Sequence, residues 1–311
     1  MNLSVSIGKL TLQNPVMVAS GTFGYGVEYA RLIDLNQLGA VVVKGIRLTP
    51  VRGNPTPRTA EVTSGMLNAI GLQGPGVDGF IEKYWPFLKS LRVPAIINIW
   101  GTTVEEYAEV ARRFDALGGV GALELNVSCP NIKEGGVSFG IDPCAIEKIV
   151  TGVKAAVPRG RAVTIITKLT PNITDITVPA KAAIAAGTDA LSMINTLRGV
   201  AIDIRAKKPY FANVAAGLSG PAVKPVGLCM VWDCFAKIPE CRSRKIPIIG
   251  IGGISTWQDA VEYLLAGATA VQVGTAWFVN PALFVEMKQG LLKYLEREQA
   301  TVSQLTGQAH G

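Results

Sequence analysis

Polar side chains stand at or just beyond the ends of six short apolar runs of the sequence. They are Ser20, Lys44, Asn98, Asn126, Lys168 and Asn195. Two further asparagines, Asn68 and Asn131, are candidates together with Asn126 and Asn195. A primary amide offers two donors and an acceptor, which match the alternating N–H and C=O groups at the edge of a pyrimidine ring. The pattern indicates a polar binding site assembled from strand ends.

One cysteine is placed where it could act as a base. Cys129 follows the run that ends at Asn126, in Ser128-Cys129-Pro130-Asn131, and it is either buried filler or a reactive thiol. The sole histidine is His310, close to the C-terminal end. A histidine base, a Ser-His-Asp triad and a histidine-ligated metal are therefore not expected. Without a usable histidine, Cys129 is the best candidate for general base.

The other thiols do not predict a metal centre. Cys229, Cys234 and Cys241 are separated by four and six residues, a spacing that fits neither a zinc site nor an iron–sulfur site. We interpret these three as free thiols on or near one helix, and we predict no bound metal.

Two glycine-rich segments are candidates for a phosphate site. They are Ile249-Gly250-Ile251-Gly252-Gly253-Ile254 and Val273-Gly274-Thr275-Ala276, and each follows an apolar run. Glycine lets backbone N–H groups approach a phosphate closely, which is how the last two loops of phosphate-binding barrels work.

The elements that must position these residues form a regular series. Apolar runs alternate with helix-like segments such as Val104–Leu117, Ile176–Ala186 and Gln258–Ala266. The runs are Val16–Ser20, Ala40–Lys44, Ala95–Ile99, Ala122–Asn126, Val163–Lys168, Ala190–Ile194, Ile246–Gly250 and Ala270–Gly274. Eight strands alternating with helices predict an α/β protein, a (β/α)8 TIM barrel whose strand ends meet at one mouth. A doubly wound sheet is the alternative.

The sequence is expected to fold as one domain. Residues 3–12 alternate in hydropathy and predict a β-hairpin. The Gly/Pro-rich segment Thr49–Gly79 is predicted to be a functional loop after the second barrel strand. We assign residues 1–300 to a single barrel domain and residues 301–311 to a flexible tail.

Composition narrows the class of protein. Apolar residues make up 49% of the chain and charged residues 17%, which is typical of a compact protein and not of a disordered one. The net charge of +7 comes from scattered basic residues, so nucleic-acid binding is not favoured. No apolar run reaches the roughly 18 residues that span a bilayer, and no leader-like start is evident. We expect a cytoplasmic protein, because free thiols suit that compartment.

These motifs resemble the class 1 dihydroorotate dehydrogenases over roughly residues 3 to 295. The resemblance rests on several segments in the right order. They are Asn14-Pro15, Ala19-Ser20-Gly21, Lys44, Gly53-Asn54-Pro55-Thr56-Pro57-Arg58, Asn68-Ala69-Ile70-Gly71-Leu72-Gln73, Asn126-Val127-Ser128-Cys129-Pro130-Asn131, Lys168-Leu169-Thr170-Pro171-Asn172, Met193-Ile194-Asn195-Thr196, Gly217-Leu218-Ser219-Gly220 and the two glycine-rich loops.

The resemblance implies FMN across the barrel mouth and dihydroorotate stacked on it. The implied cofactor-binding residues are Ser20, Lys44, Gly45, Asn98, Asn126, Lys168, Ile194, Gly220 and, for the phosphate, Gly252, Gly253, Gly274 and Thr275. The implied substrate-binding residues are Lys44, Asn68, Ala69, Ile70, Gly71, Leu72, Asn126, Asn131, Asn195 and Thr196. Lys44 and the backbone around Gly71 and Leu72 would meet the substrate carboxylate.

A mechanism follows from the same resemblance. Cys129 would take a proton from C5 of dihydroorotate while C6 delivers hydride to N5 of the flavin. Lys168 would stabilise the negative charge of the reduced ring. Cys129 and Lys168 are thus the implied catalytic residues. The membrane-bound class uses serine as the base, so a cysteine favours class 1.

Within class 1, Thr56 and the pair Ala69-Ile70 resemble the 1B subtype more than the fumarate-using 1A subtype. The 1B subtype implies a homodimer of this chain joined to a second subunit with FAD and a [2Fe–2S] cluster, a heterotetramer that passes electrons to NAD. The alternatives are a fumarate-dependent 1A enzyme, a dihydropyrimidine dehydrogenase-like flavoenzyme, a non-redox phosphate-binding barrel and a non-catalytic binding barrel. Trp100 is larger, and Gly45 smaller, than the family pattern leads us to expect.

Overall fold

The computed structural model describes residues 2–128, 139–157 and 163–311. Within these ranges sixteen strands are present, and eight of them form one parallel sheet. In chain order the strands are β1 (Val5–Ile7), β2 (Leu10–Leu12), β3 (Val16–Val18), β4 (Val41–Val42), β5 (Thr59–Val62), β6 (Gly65–Asn68), β7 (Ala95–Ile99), β8 (Ala122–Asn126), β9 (Thr164–Lys168), β10 (Ala190–Met193), β11 (Leu197–Val200), β12 (Ile202–Asp203), β13 (Lys208–Pro209), β14 (Ala215–Ser219), β15 (Ile248–Ile251) and β16 (Ala268–Val273).

The eight-stranded sheet curls into a nearly closed barrel. Its hydrogen-bonded order is β3, β16, β15, β10, β9, β8, β7 and β4. The two end strands meet where Gly39 N donates to Val16 O at 2.8 Å. A Cβ at Gly39 would lie 2.3 Å from the carbonyl oxygen of Asn14, so glycine is what allows this approach. The ring confirms the predicted (β/α)8 barrel and excludes the doubly wound sheet.

The barrel strands lie where the apolar runs predict them. The expected bounds of β7 and β8 match the observed ones, and the other six agree to within about two residues, the usual margin at strand ends. Every residue of β7 and β9 is buried. Strands covered on both faces read as continuous apolar runs, which explains why they could be found in the sequence.

Helices follow most barrel strands. They are α1 (Gly76–Lys83), α2 (Trp85–Ser90), α3 (Val104–Leu117), α4 (Pro143–Ala156), α5 (Thr177–Ala185), α6 (Lys224–Lys237), α7 (Pro239–Arg242), α8 (Trp257–Leu265), α9 (Ala276–Val279), α10 (Leu283–Glu298) and α11 (Val302–Leu305). Helix α3 has the predicted bounds; the Thr103 side chain caps its start and Gly118, at φ +66°, follows its end. One face of the helix is fully buried: Tyr107, Val110, Ala111 and Phe114.

The N-terminal hairpin forms as predicted and lies at the start of the barrel strands. Strands β1 and β2 pair antiparallel, from Val5 opposite Leu12 to Ile7 opposite Leu10. Lys9 N in the turn donates to Thr164 Oγ1, at the first residue of β9. The hairpin therefore covers the amino ends of the strands, and the opposite end is left for a ligand site.

A second, smaller sheet occupies the loops at the carboxyl ends of the barrel strands. Strands β5, β6, β11 and β14 form this sheet, which we call the roof sheet. The segment Thr49–Gly79, predicted as a loop, instead contains the hairpin β5–β6 and the start of α1. Four buried apolar residues form a separate core beneath the roof sheet: Leu67, Ala69, Phe211 and Ala216.

The segment expected to be a flexible tail packs against the barrel instead. Val302 and Leu305 of α11 are buried in the main core. Thr306 Oγ1 donates to Ala268 O at 3.2 Å, and the His310 ring stacks on Trp232 with centroids 3.6 Å apart. Helix α11 is one turn long, so no helical period in the sequence revealed it. None of the helices in the described ranges has the length and apolar content needed to cross a bilayer.

Candidate active site

Strand register brings the predicted polar residues together at the carboxyl end of the barrel. Asn126 on β8 pairs with Lys168 on β9, and Lys168 pairs with Ser192 on β10. Lys168 Nζ donates to Ser20 Oγ at 3.1 Å, although Ser20 follows the first barrel strand. A lysine, a serine and an asparagine from three strands thus meet at one opening.

A buried carboxylate that the sequence analysis did not single out lies beneath Lys168. Glu124 on β8 is fully buried, and its Oε1 lies 3.6 Å from Lys168 Nζ. Asn98 Nδ2 donates to Oε1 at 2.7 Å, while Ser192 Oγ and Gln272 Nε2 donate to Oε2 at 3.0 and 2.8 Å. We call these five residues the polar cluster.

Sequence analysis identified Asn98 and Lys168 as strand-end residues but missed Glu124, Ser192 and Gln272, because the five members come from five different strands. Each of the three missed residues looked like an isolated polar residue in an apolar run. A charged residue that is fully buried is rare unless it is paired, so the available signal was Glu124 itself, inside the run Ala122–Asn126.

The candidate substrate amides form a connected row. Asn195 Nδ2 donates to Asn126 Oδ1 at 3.2 Å, and Thr196 N donates to Asn195 Oδ1 at 2.9 Å. On the roof sheet Asn68 Nδ2 donates to Gly217 O at 3.1 Å. A Cβ at Gly217 would lie 2.3 Å from Thr196 Oγ1 and 3.2 Å from Asn68 Nδ2, so glycine lets this strand pass between the two.

Lys44 lies half-buried beside a second cation. Burial lowers the pKa of the Lys44 ammonium, the nearby positive charge of Arg58 lowers it further, and Glu28 partly opposes the shift. Arg58 Nε donates to Asn54 O at 2.6 Å. Two basic residues that repel each other on one side of the opening attract an anion.

The loop 69–72, predicted to meet the substrate carboxylate, is held by the segment before it. Asn54 N donates to Ile70 O at 3.0 Å, and Asn54 Nδ2 donates to Ala69 O at 2.9 Å. Gly71 and Leu72 both adopt positive φ, at +73° and +53°. Asn54, interpreted from sequence as a turn residue, therefore fixes the shape of this loop.

The predicted phosphate residues lie at the ends of the last barrel strands. Ile194 N donates to Ile251 O, and a Cβ at Gly252 would lie 3.3 Å from Ile194 Cγ1. Thr275 Oγ1 donates to Ser219 Oγ at 2.8 Å, which adds a hydroxyl that was not predicted. Ser219 stands in the quoted motif Gly217–Gly220, so the signal was present.

The other phosphate-side glycines have a packing reason as well. A Cβ at Gly253 would lie 2.6 Å from Lys224 N, and one at Gly220 would lie 2.7 Å from Gly65 Cα. Both have positive φ. Gly274 is different, because a Cβ there would meet nothing closer than Ala19 Cβ at 3.7 Å.

Gly45 and Trp100, the two departures from the family pattern, compensate for each other. A Cβ at Gly45 would lie 2.9 Å from Asn98 Oδ1 and 3.1 Å from Trp100 Cδ1. The indole ring of Trp100 is buried, and the Arg47 guanidinium lies 5.1 Å from the ring centroid. Trp100, in the loop that follows β7, thus occupies the space that a larger side chain at position 45 would need.

Two predicted site residues, Cys129 and Asn131, lie outside the described residues. The described chain reaches Ser128, whose N donates to Asn126 Oδ1 at 3.3 Å. Two thiols elsewhere are poorly suited to reaction: burial raises the pKa of Cys234, and it raises that of Cys241 to about 12. Cys229 and Cys234 lie on α6 and Cys241 on α7, as the free-thiol interpretation predicts.

The residues at the opening fit a flavin. An ammonium has three N–H groups; Lys168 Nζ donates to Ser20 Oγ at 3.1 Å and forms an ion pair with Glu124 at 3.6 Å. A Cβ at Gly21, beside Ser20, would meet no atom within 4 Å, so the backbone there borders open space. A flat ring with a polar edge could lie against such a surface.

Comparison with known proteins identifies relatives over nearly the whole chain. A family model described as dihydroorotate dehydrogenase matches residues 2–295. A protein of Trichlorobacter lovleyi named dihydroorotate dehydrogenase B (NAD(+)), catalytic subunit, is 54% identical over 310 residues, which is 99% of each chain. A protein of the same name from Thermoanaerobacter pseudethanolicus is 52% identical over 295 residues, covering 95% of this chain and 94% of the relative.

A solved structure shares the fold. The dihydroorotate dehydrogenase of Eimeria tenella, crystallised with ferulenol, superimposes with a TM-score of 0.81 and covers 99% of this chain and 88% of that chain. Its sequence identity to this chain is 23%, so the superposition supports the barrel fold and nothing further.

Proposed function

Because the chain belongs to the dihydroorotate dehydrogenase family, we propose that it oxidises dihydroorotate to orotate at the barrel mouth, as the catalytic subunit of an NAD-linked enzyme. The observation that carries the proposal is the junction of Lys168 with the amide row that begins at Asn126. An ammonium beside several amides suits a flavin stacked on a ring that bears its own amides.

We propose that the flavin is FMN. When bound, it supplies the hydride acceptor. Lys168, Ser20 and Asn126 would hold its polar ring, Gly45 and Ile194 would line it, and the N–H groups near Gly252 and Gly274 would bind its phosphate. Gly220, Gly253 and Thr275 would also contact the phosphate. Asn98 would lie beneath the flavin ring, since it is buried.

For the substrate, we propose two sets of contacts. Asn68, Asn126, Asn131, Asn195 and Thr196 would bind the ring amides. The carboxylate would be met by Lys44 and the backbone of residues 69–72. The low exposure of Lys44 strengthens its attraction for a carboxylate, because less water screens the pair.

Cys129 is proposed to be the general base that removes the proton from C5. A positioned base contributes about 10²- to 10⁴-fold to rate. A thiol has an ordinary pKa near about 8.5, so the reaction should become faster towards alkaline pH as the thiolate forms. Lys168 would stabilise the charge left on the reduced ring.

The test is a rapid-mixing measurement of flavin bleaching by dihydroorotate. Cys129→Ala should slow bleaching by at least about a hundredfold. Cys129→Ser should keep part of the rate, and this rate should continue to rise at pH values where the thiol is already ionised, because a hydroxyl ionises less readily. Cys144→Ala, which removes an exposed thiol on α4, is the matched control and should bleach like the unmodified protein. Equal rates for Cys129→Ala and the control would disprove the assignment of the base.

A partner subunit is part of the proposal, since the relatives are named as catalytic subunits. We propose that this chain forms a homodimer and joins two subunits carrying FAD and a [2Fe–2S] cluster, in the cytoplasm, with NAD as final acceptor. After reduction by dihydroorotate, NAD should reoxidise the flavin only when the second subunit is present. Rapid reoxidation by fumarate alone would point instead to the 1A subtype.

Domain organisation remains a prediction of one domain. The main core draws buried residues from Leu3 to Leu305, which supports that view. With the terminal segment packed on the barrel, we extend the proposed domain beyond residue 300.

A further inference from the structure

Glu124 is the buried charge at the centre of the barrel, and nothing in the proposed chemistry uses it. Its side chain is fully buried, and both its oxygens act as acceptors. Asn98 donates to one oxygen, and Ser192 and Gln272 donate to the other, at 2.7 to 3.0 Å. Such a ring of donors stabilises a carboxylate anion, which would otherwise be costly to bury.

The carboxylate acts on the ligand site through one side chain. Lys168 Nζ lies 3.6 Å from Glu124 Oε1 and 3.1 Å from Ser20 Oγ, so the ammonium is held between a fixed anion below and a hydroxyl above. Within residues 2–128, 139–157 and 163–311, Glu124 is the carboxylate that lies within ion-pair distance of Lys168. The flexible four-carbon stem of lysine needs such an anchor to keep one position.

We propose that Glu124 is a positioning residue that fixes the Lys168 ammonium against the flavin and offsets part of its positive charge. This rests on the proposed function in one respect, the placement of the flavin next to Lys168. The full charge of an ammonium would strongly favour the anionic reduced ring. A carboxylate directly behind it weakens that attraction and thereby lowers the reduction potential of the flavin.

The network can accommodate a neutral residue at position 124. Gln272 Oε1 is buried without a hydrogen-bond partner in the described part of the chain. If the Gln272 amide rotates, this oxygen can accept from the new amide of Glu124→Gln. The substitution therefore removes the charge with little change in shape, which makes it a suitable probe.

Sulfite binding to the flavin-loaded protein tests the proposal without dihydroorotate. Sulfite adds to N5 of oxidised flavin, and the adduct is anionic, so it is stabilised by nearby positive charge. At about pH 6, where an amine keeps its proton, Glu124→Gln should tighten the sulfite dissociation constant about tenfold. The flavin reduction potential should move in the positive direction. Glu124→Asp keeps the charge and should stay near the unmodified protein.

Ser192→Ala is the matched control, because it removes a donor to the same carboxylate and leaves the charge in place. It should leave sulfite affinity within about twofold of the unmodified value. A Glu124→Gln protein that binds sulfite no more tightly than this control would overturn the proposal. Because the assay needs only bound flavin, a failure here is distinct from a failure to oxidise dihydroorotate.

A second measurement applies if Glu124→Gln alone does not retain flavin. Lys168→Met leaves the carboxylate unpaired, and adding Glu124→Gln should restore part of the lost thermal stability, because a neutral pair carries no buried charge. A double variant that is less stable than Lys168→Met by the full amount that Glu124→Gln costs in the unmodified protein would show that the two residues are not coupled. That result would also overturn the proposal.

Discussion

The polar cluster and the roof sheet bring side chains to the same opening, but they are built in opposite ways. The cluster is carried by central barrel strands, and its five side chains are at most 4% exposed. The roof sheet rests on a separate core of four apolar residues, and apolar side chains such as Val200 and Val214 remain about half exposed nearby.

This difference indicates that the polar cluster and the roof sheet have different roles. Buried strands whose polar side chains hydrogen-bond to one another can hold a charged group in one position, as electrostatic stabilisation of the proposed flavin requires. The roof sheet carries Asn68 and lies next to Thr196, two of the residues that we propose bind the substrate. A sheet with a small core can change its sequence without disturbing the barrel. We therefore expect changes in the cluster to affect stability and flavin, and changes in the roof sheet to affect substrate binding.

The largest expected effect comes from breaking the buried ion pair. Lys168→Met leaves Glu124 without its cation and should lower the free energy of unfolding by about 3–5 kcal/mol. Lys237→Met is the matched control, since Lys237 pairs with Asp233 on the exposed side of α6. Because water screens this exposed pair, the substitution should leave the free energy of unfolding nearly unchanged. Urea denaturation at fixed flavin concentration measures both, and equal losses would contradict the division.

The next effect concerns the roof sheet. Gly217→Ala would place Cβ against Thr196 Oγ1 and should weaken orotate binding about tenfold or more, while flavin content stays unchanged. Gly199→Ala, on the paired strand β11, would meet the end of the Leu67 side chain at 2.9 Å and Leu218 Cβ at 3.7 Å, and it should bind orotate normally. Isothermal titration with orotate measures both. Loss of flavin from Gly217→Ala would show that the two regions are not separate.

The smallest effect is a gradual dependence on pH. Burial and Arg58 lower the pKa of Lys44 below its usual 10.5. A bound carboxylate favours the protonated lysine, so orotate affinity is complete below this pKa and is lost as pH rises through it, by up to about tenfold per pH unit. Lys44→Arg keeps its charge at alkaline pH, so its affinity should stay flat over the same range. Identical profiles for the two proteins would exclude Lys44 as the carboxylate ligand.

The barrel could be predicted from the sequence because its signals are local. Each apolar run, such as Ala95–Ile99, carries its own evidence of a buried strand, and Thr103 and Gly118 mark the limits of α3. The roof sheet could not be predicted, because its pairing of Asn68 with Gly217 joins residues 149 positions apart. Neither the sequence of β6 nor that of β14 contains a pattern that identifies the strand with which it pairs.

The site shows the same limit. The strand-end residues could be identified one at a time, as Ser20 and Lys168 were. Glu124 acquires meaning only when side chains from four other strands converge on it, and the exchange between Gly45 and Trp100 is visible only as a distance between side chains. Residues whose role depends on long-range contacts are those that the sequence does not reveal.

The central claim is that dihydroorotate reduces a flavin bound beside Lys168. Anaerobic titration of the flavin-loaded protein with dihydroorotate tests it most directly, with the flavin absorbance and the orotate formed measured together. We predict complete bleaching with one orotate produced for each flavin reduced, and no bleaching by dihydrouracil, which lacks the carboxylate. A flavin that dithionite reduces but dihydroorotate leaves oxidised would contradict the claim.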